Sequence, residues 1–156
     1  MKPNNAKELF LKSFPNLLIS DQTDRLSCNL AFSFQYFDVS QEPSSDFSQL
    51  TEEQIKKLIV KIKNYSSNTI EYWKNQRIGK GSSNVLEVYD HFPRKSDFVH
   101  PKNVPSDVSW ARFRLESDMR LIGFLISNDL CEKFYLAKNI FYITFIDEHH
   151  RFYKNN

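Results

Sequence analysis

The stretch Trp110–Ile126, WARFRLESDMRLIGFLI, decides how this chain is read. Arg112 and Arg114 are two residues apart, so on a strand they share one face while Ala111, Phe113 and Leu115 share the other. Ser117-Asp118 carries turn chemistry, and Asp118 tolerates the left-handed backbone that hairpin loops often use. A three-residue loop of Glu116, Ser117 and Asp118 sets Arg114 opposite Arg120 and Arg112 opposite Ile122, which gathers three guanidiniums on one surface. A two-residue loop instead pairs Arg114 with Leu121 and turns Arg120 away. Guanidiniums stay charged and repel one another, so such a face suits an anion, as in phosphate binding or phosphoryl transfer. It equally suits a solvated strand face whose arginines pair with Glu116, Asp118 or more distant acids.

With 156 residues the chain has room for one domain with a substantial core. An aromatic content of 15%, with 14 Phe and 7 Tyr, favours a sheet-rich core. The formal net charge is only +2, so any contact with nucleic acid rests on a local cluster and not on bulk charge. Cys28 and Cys131 lie on separate segments without a CxxC pair, which predicts reduced thiols, one of them a buried strand residue. Charges interrupt the opening MKPNNAKELFLKSF before an apolar run reaches signal-peptide length. No stretch approaches a transmembrane helix, and the expectation is a cytoplasmic protein with no membrane partner.

Residues 1–26 read as an N-terminal extension with a short helix over Ala6–Phe14, and residues 27–156 as a single domain. Ser27–Phe37 alternates, with Cys28, Leu30, Phe32, Phe34 and Tyr36 on one face, and predicts a strand. After a Ser-, Asp- and Pro-rich loop, Thr51-Glu52-Glu53-Gln54 forms a capping box, in which the Thr51 hydroxyl and the Gln54 side chain satisfy free backbone donors. The helix it opens carries Ile55, Leu58, Ile59 and Ile62 on a buried face, and its lysines, Lys56, Lys57, Lys61 and Lys63, read first as a solvated surface. A shorter helix follows from about Asn68 to Arg77, with Ile70 and Trp73 inward. Gly79–Ser83, GKGSS, misses the GxxxxGK[ST] spacing of a phosphate loop and reads as a turn.

Val85–Tyr89 is a candidate short strand. Trp110–Leu115, Met119–Ile126 and Ile140–Ile146 predict three hairpin-related strands, with a short helical insertion in Asn128–Asn139. The run Asn139–Ile146, NIFYITFI, reads as a central core strand and not as a base-stacking platform. His149 and His150 are adjacent and diverge on an extended segment, and His91 and His100 lack ligand spacing, so neither a metal site nor a cofactor is expected. The sum is an α+β fold in the order β-α-α-β-β-β: an antiparallel sheet of about four strands with two helices packed on one face.

This order, together with RFRLESDMRLIGF and the terminal HRFY, resembles the RelE/ParE superfamily of bacterial toxins. The resemblance implies a partner in a toxin–antitoxin pair and, for the RelE-like branch, an endoribonuclease that cleaves messenger RNA, commonly in the ribosomal A site. In the RelE-like pattern two basic residues precede the hairpin turn, an arginine follows it, and a basic residue and a tyrosine lie near the chain's end. By resemblance Arg112 and Arg114 match the basic pair, Arg120 the post-turn arginine, and Arg151 and Tyr153 the terminal pair. The ParE-like branch implies instead a non-enzymatic inhibitor of a protein target such as gyrase.

RNA cleavage by 2′-OH attack needs a base for the hydroxyl proton, cations for the phosphorane oxygens and an acid for the 5′-oxygen. Arg114 and Arg120 are the candidates for phosphorane stabilisation, with Arg112 and Arg151 binding the RNA backbone. Tyr153 is a candidate for base stacking or proton exchange. His150 is a candidate general acid or base, because only its side-chain class titrates near neutrality unperturbed. The expected partners are messenger RNA and a separate small antitoxin whose disordered segment folds over the sheet or the arginine face.

Overall fold

A computed structural model describes residues 9–10, 28–116 and 118–154. Apart from Leu9 and Phe10, the helix expected over Ala6–Phe14 lies outside the described residues. The elements are β1 (Ala31–Ser33), α1 (Glu52–Tyr65), α2 (Ile70–Asn75), β2 (Leu86–Tyr89), β3 (Ser109–Arg114), β4 (Arg120–Leu125), α3 (Asn128–Phe134) and β5 (Ile140–Asp147), with a single 3-10 turn at Phe47–Gln49. No helix among the described residues is long and apolar enough to cross a membrane.

The fold is α+β, but its sheet has five strands in the order β1-β5-β4-β3-β2 and is mixed, not purely antiparallel. Strands β2 to β5 form antiparallel neighbours, whereas β1 runs parallel to β5, with Phe32 opposite Phe141. Alternation in a sequence does not distinguish the two directions. A parallel neighbour requires a long crossover, and the three α-helices and three strands between β1 and β5 supply it. The fifth strand is Leu86–Tyr89, which sits at the sheet edge with Glu87 opposite Arg112.

The strand expected over Ser27–Phe37 contracts to three residues, and Ser27 lies outside the described residues. A turn closed by the Phe37 N–H on the Phe34 carbonyl at 3.0 Å ends it. Leu30 is buried, Phe34 is exposed, and Tyr36 crosses to the opposite side of the sheet, its ring 5.1 Å from Phe124. Cys28 is exposed and Cys131 lies half-buried on α3, so neither is a buried strand thiol.

Helix α1 begins as its sequence dictates. The Thr51 hydroxyl accepts from the Gln54 N–H at 3.2 Å, and the Gln54 side chain accepts from the Thr51 N–H at 2.8 Å. Its inward stripe runs Ile55, Leu58, Ile62, Tyr65, and Ile59 is 55% exposed. The spacing i, i+3, i+7, i+10 follows the inner edge of the helix and leaves Ile59 on its flank. The Tyr65 hydroxyl donates to the Arg114 carbonyl and its ring stacks on Phe113 at 4.6 Å, tying α1 to the end of β3. Burial raises the Tyr65 phenol to about 12, so it remains a donor.

Helices α1 and α2 cover one face of the sheet, packing on Ala111, Phe113, Leu121 and Ile143. Helices pack on both faces and not on one: the helical insertion expected in Asn128–Asn139 is α3, and its Leu130 and Phe134 join a second core on the opposite face. There the 90–108 segment and Phe152 cover Trp110, Phe124 and Phe145. Tyr142 and Phe145 are buried, as a core strand requires. The arginine-bearing end of this second face lines an open cleft.

Candidate functional site

The hairpin loop comprises three residues, closed by the Leu115 N–H on the Met119 carbonyl at 3.1 Å. The register therefore sets Arg114 opposite Arg120 and Arg112 opposite Ile122. All three arginines point to the second face and line a cleft of about 620 Å³, together with Asn84, Glu87, Asp118, His150, Tyr153 and Lys154.

The three guanidiniums have different surroundings. Arg112 is paired across the strands with Glu87, its Nε at 3.0 Å and its Nη2 at 2.5 Å from one carboxylate oxygen. Its guanidinium carbon also lies 6.0 Å from the centre of the Tyr89 ring. Arg120 is buried, donates from Nη1 to the Met119 carbonyl at 2.8 Å, and lies with Nη2 2.8 Å from His150 Nε2. Burial and then the charges of Arg114 and Arg112 lower its pKa. Arg114 makes no hydrogen bond or ion pair through its guanidinium to any described residue. The cleft thus holds one neutralised arginine, one anchored arginine and one guanidinium without a counter-ion among the described residues.

His150 reaches this group because of the backbone before and at it. Asp147, buried at the end of β5 and opposite Arg120, accepts backbone N–H bonds from His149 and Arg151 on Oδ1 and from Phe152 on Oδ2, at 3.1, 3.0 and 2.8 Å. The chain winds around that carboxylate, and His150 takes a left-handed φ of 54°. Its Nε2 then lies between Arg120 and Asp118, whose Oδ1 is 3.5 Å away. Burial, followed by the charges of Arg120 and Arg112, lowers the imidazole pKa from its usual 6.5.

Tyr153 lines the cleft, half-exposed, with its ring stacked on Tyr89 at 5.0 Å and 7°. Burial raises the Tyr89 phenol well above the ordinary range. Arg151 is not brought to the cleft. Its guanidinium holds Glu42 through two bonds at 3.1 and 2.9 Å and Asp97 through one at 3.1 Å, and these carboxylates raise its pKa. The left-handed step at His150 sends the two neighbouring side chains to different partners, so Arg151 clamps the tail to the 38–45 and 90–108 segments. Lys154 joins the same clamp through Asp97.

Residue reading by periodicity missed Glu87, because β2 carries only a short pattern and its partner Arg112 is 25 positions away. Asp147 and the adjacent Glu148 turn to different partners, the Arg151 N–H and the Gln54 side chain. The function of Asp147 as a backbone anchor depends on a turn that the sequence does not announce. Lys154 and Asn84 enter the cleft only through the tail and through the narrow 77–84 loop, pinned by a bridge between Arg77 and Asn84. Comparison with known protein families, with curated proteins and with solved structures finds no match to this chain.

Proposed function

We propose that this chain is the toxin of a bacterial toxin–antitoxin pair, a RelE-like endoribonuclease that cleaves messenger RNA, free or on the ribosome, by 2′-OH attack without a metal. The observation that carries the reading is the Arg114 guanidinium, which faces an open cleft beside Arg120 and His150 with no counter-ion among the described residues. Three cations around a neutral imidazole are the parts that transphosphorylation needs.

In this mechanism the scissile phosphate enters between Arg114 and Arg120. His150 Nε2 takes the 2′-OH proton as the 2′-oxygen bonds to phosphorus. Asp118, 3.5 Å away, stabilises the imidazolium that forms, while Arg120 transfers its hydrogen bond from the imidazole to a phosphorane oxygen. The phosphorus–O5′ bond breaks, the 5′-oxygen takes a proton from Tyr153 or water, and the other product carries a 2′,3′-cyclic phosphate. Arg112, already paired with Glu87, positions the RNA backbone. A small antitoxin whose disordered segment folds over the arginine face would neutralise the protein.

The test is expression from a tightly controlled promoter, with growth followed and transcript ends mapped, comparing the native chain with Arg114→Ala. Growth arrest with new internal transcript ends, both lost in the variant, supports the reading. Full toxicity of the variant refutes it. One observation favours a second reading, a ParE-like inhibitor of a protein such as gyrase or a small partner-binding module: Arg151 is committed to Glu42 and Asp97, so the terminal basic residue does not join the cleft. Arrest without new transcript ends would support that reading.

A further inference from the structure

A second cavity, of about 240 Å³, lies between α1 and the β3–β4 hairpin, on the other side of the hairpin tip from the arginine cleft. Asp118 lines both cavities, so they are neighbours across a single residue. The floor of the second is apolar, formed by Leu58, Leu115 and Met119. Its rim carries the carboxylates of Glu148, Glu116 and Asp118, the Gln54 amide and the ammonium groups of Lys57 and Lys61.

Two of the rim carboxylates are held in place by other residues of the lining. Gln54, whose side-chain oxygen is engaged by the Thr51 N–H in the capping box, donates from Nε2 to Glu148 Oε2 at 3.0 Å. Lys57 lies 3.2 Å from Glu116. The second oxygen of Glu148 makes no hydrogen bond to any described residue, and neither does the Lys61 ammonium. A small cavity with an apolar floor, a fixed acceptor and an ammonium donor fits a single planar ring system with polar edges. Lys57 is taken up by Glu53 and Glu116, so the carboxylates outweigh the one remaining ammonium and disfavour a phosphate here, in contrast to the arginine cleft.

Resting on the ribonuclease reading above, we propose that this cavity is a nucleobase subsite. It receives the base of the nucleotide adjoining the phosphate held by Arg114 and Arg120, with the RNA strand crossing the hairpin tip at Asp118. Glu148 accepts from an exocyclic amino group and Lys61 donates to a ring nitrogen or carbonyl. The subsite therefore selects guanine, adenine or cytosine over uracil, which has no amino group.

The experiment measures binding of the full chain to short fluorescent single-stranded RNAs that differ at one position, comparing the native chain with Glu148→Gln, Lys61→Ala and Arg114→Ala. The native chain is expected to prefer an amino-bearing base at that position by about fivefold or more. Glu148→Gln should flatten that preference, Lys61→Ala should weaken binding of the preferred RNAs, and Arg114→Ala should weaken all sequences alike. A native preference that survives unchanged in both Glu148→Gln and Lys61→Ala overturns the subsite and leaves the cleft reading intact. Failure of the native chain to bind any of the RNAs, or binding indifferent to Arg114→Ala, overturns both.

Discussion

The imidazole of His150 accepts a hydrogen bond from the guanidinium of Arg120, with Nη2 and Nε2 2.8 Å apart. An arginine can only donate, so Nε2 carries the lone pair and Nδ1 the proton, and the ring is neutral in this arrangement. Protonation removes the acceptor and places a third cation beside Arg120 and Arg112.

A pH dependence follows, with its sign set by the lowered pKa of His150. Between that lowered value and the ordinary 6.5 the unfolded chain binds more protons than the folded one. The contribution to stability is fully present above 6.5 and is lost as the pH falls through the folded value. A proton-NMR titration of the His150 ring should give a midpoint below 6.5. A midpoint at or above 6.5 would contradict the contact with Arg120. The acid limb of any RNA cleavage should follow the same midpoint.

Arg114 and Arg120 are cross-strand partners of like charge, and they should respond to truncation in opposite directions. Arg114 has no partner among the described residues and its removal relieves repulsion, so Arg114→Ala is expected to leave stability unchanged or raise it by about 0.2–1 kcal/mol. Arg120→Ala leaves the His150 lone pair without its donor and removes the side-chain bond to the Met119 carbonyl, which keeps only the Leu115 N–H, and should destabilise by roughly 1–3 kcal/mol. Denaturant unfolding of the two variants checks the ordering, and equal losses would show that Arg114 has a structural partner.

Asp147 should be the most sensitive carboxylate in the chain. Its side chain is buried and satisfies three backbone donors, two of them at 3.0 Å or less. Asp147→Ala is expected to cost roughly 2–4 kcal/mol and to release the turn that presents His150. Amide exchange at Phe152 gives the direct readout. Unchanged protection there would mean that the Arg151 and Lys154 clamp holds the tail by itself.

Gly123 has a different constraint. A Cβ at this position would lie 2.2 Å from the Tyr142 carbonyl oxygen and 2.7 Å from the Phe141 ring. Neither neighbour can yield without moving β5, so Gly123→Ala should destabilise by at least about 1–3 kcal/mol, read as a fall in Tm. An unchanged Tm would place slack in the β4–β5 pairing that the register does not suggest.

The bulge beside Gly123 also separates what was legible from what was not. Ile122 faces Phe145, and Gly123 faces Ile143, so Thr144 is an extra residue in β5. Beyond it the alternation changes parity, and Phe145 and Asp147 turn to the same face as Ile122 and Arg120. Simple alternation through NIFYITFI puts Tyr142 and Phe145 on opposite faces, whereas the structure buries both in the second core. The Thr144 carbonyl accepts the Asp38 N–H at 2.9 Å, a partner more than a hundred positions away.

By itself the sequence determined the local features of this protein: the arginine-bearing hairpin strands with their alternating faces, the capping box of α1, the turn at Gly79–Ser83 and the core character of β5. Each depends on dihedral preferences and side-chain periods that act within a few residues. It left open the loop length that sets Arg114 against Arg120. Tertiary structure alone decided that length, the parallel seating of β1, the parity change at Thr144, the capture of Arg112 by Glu87 and the diversion of Arg151 to Glu42 and Asp97. These outcomes depend on which distant groups meet to satisfy a charge or a backbone donor, and no local pattern along the chain encodes such a meeting.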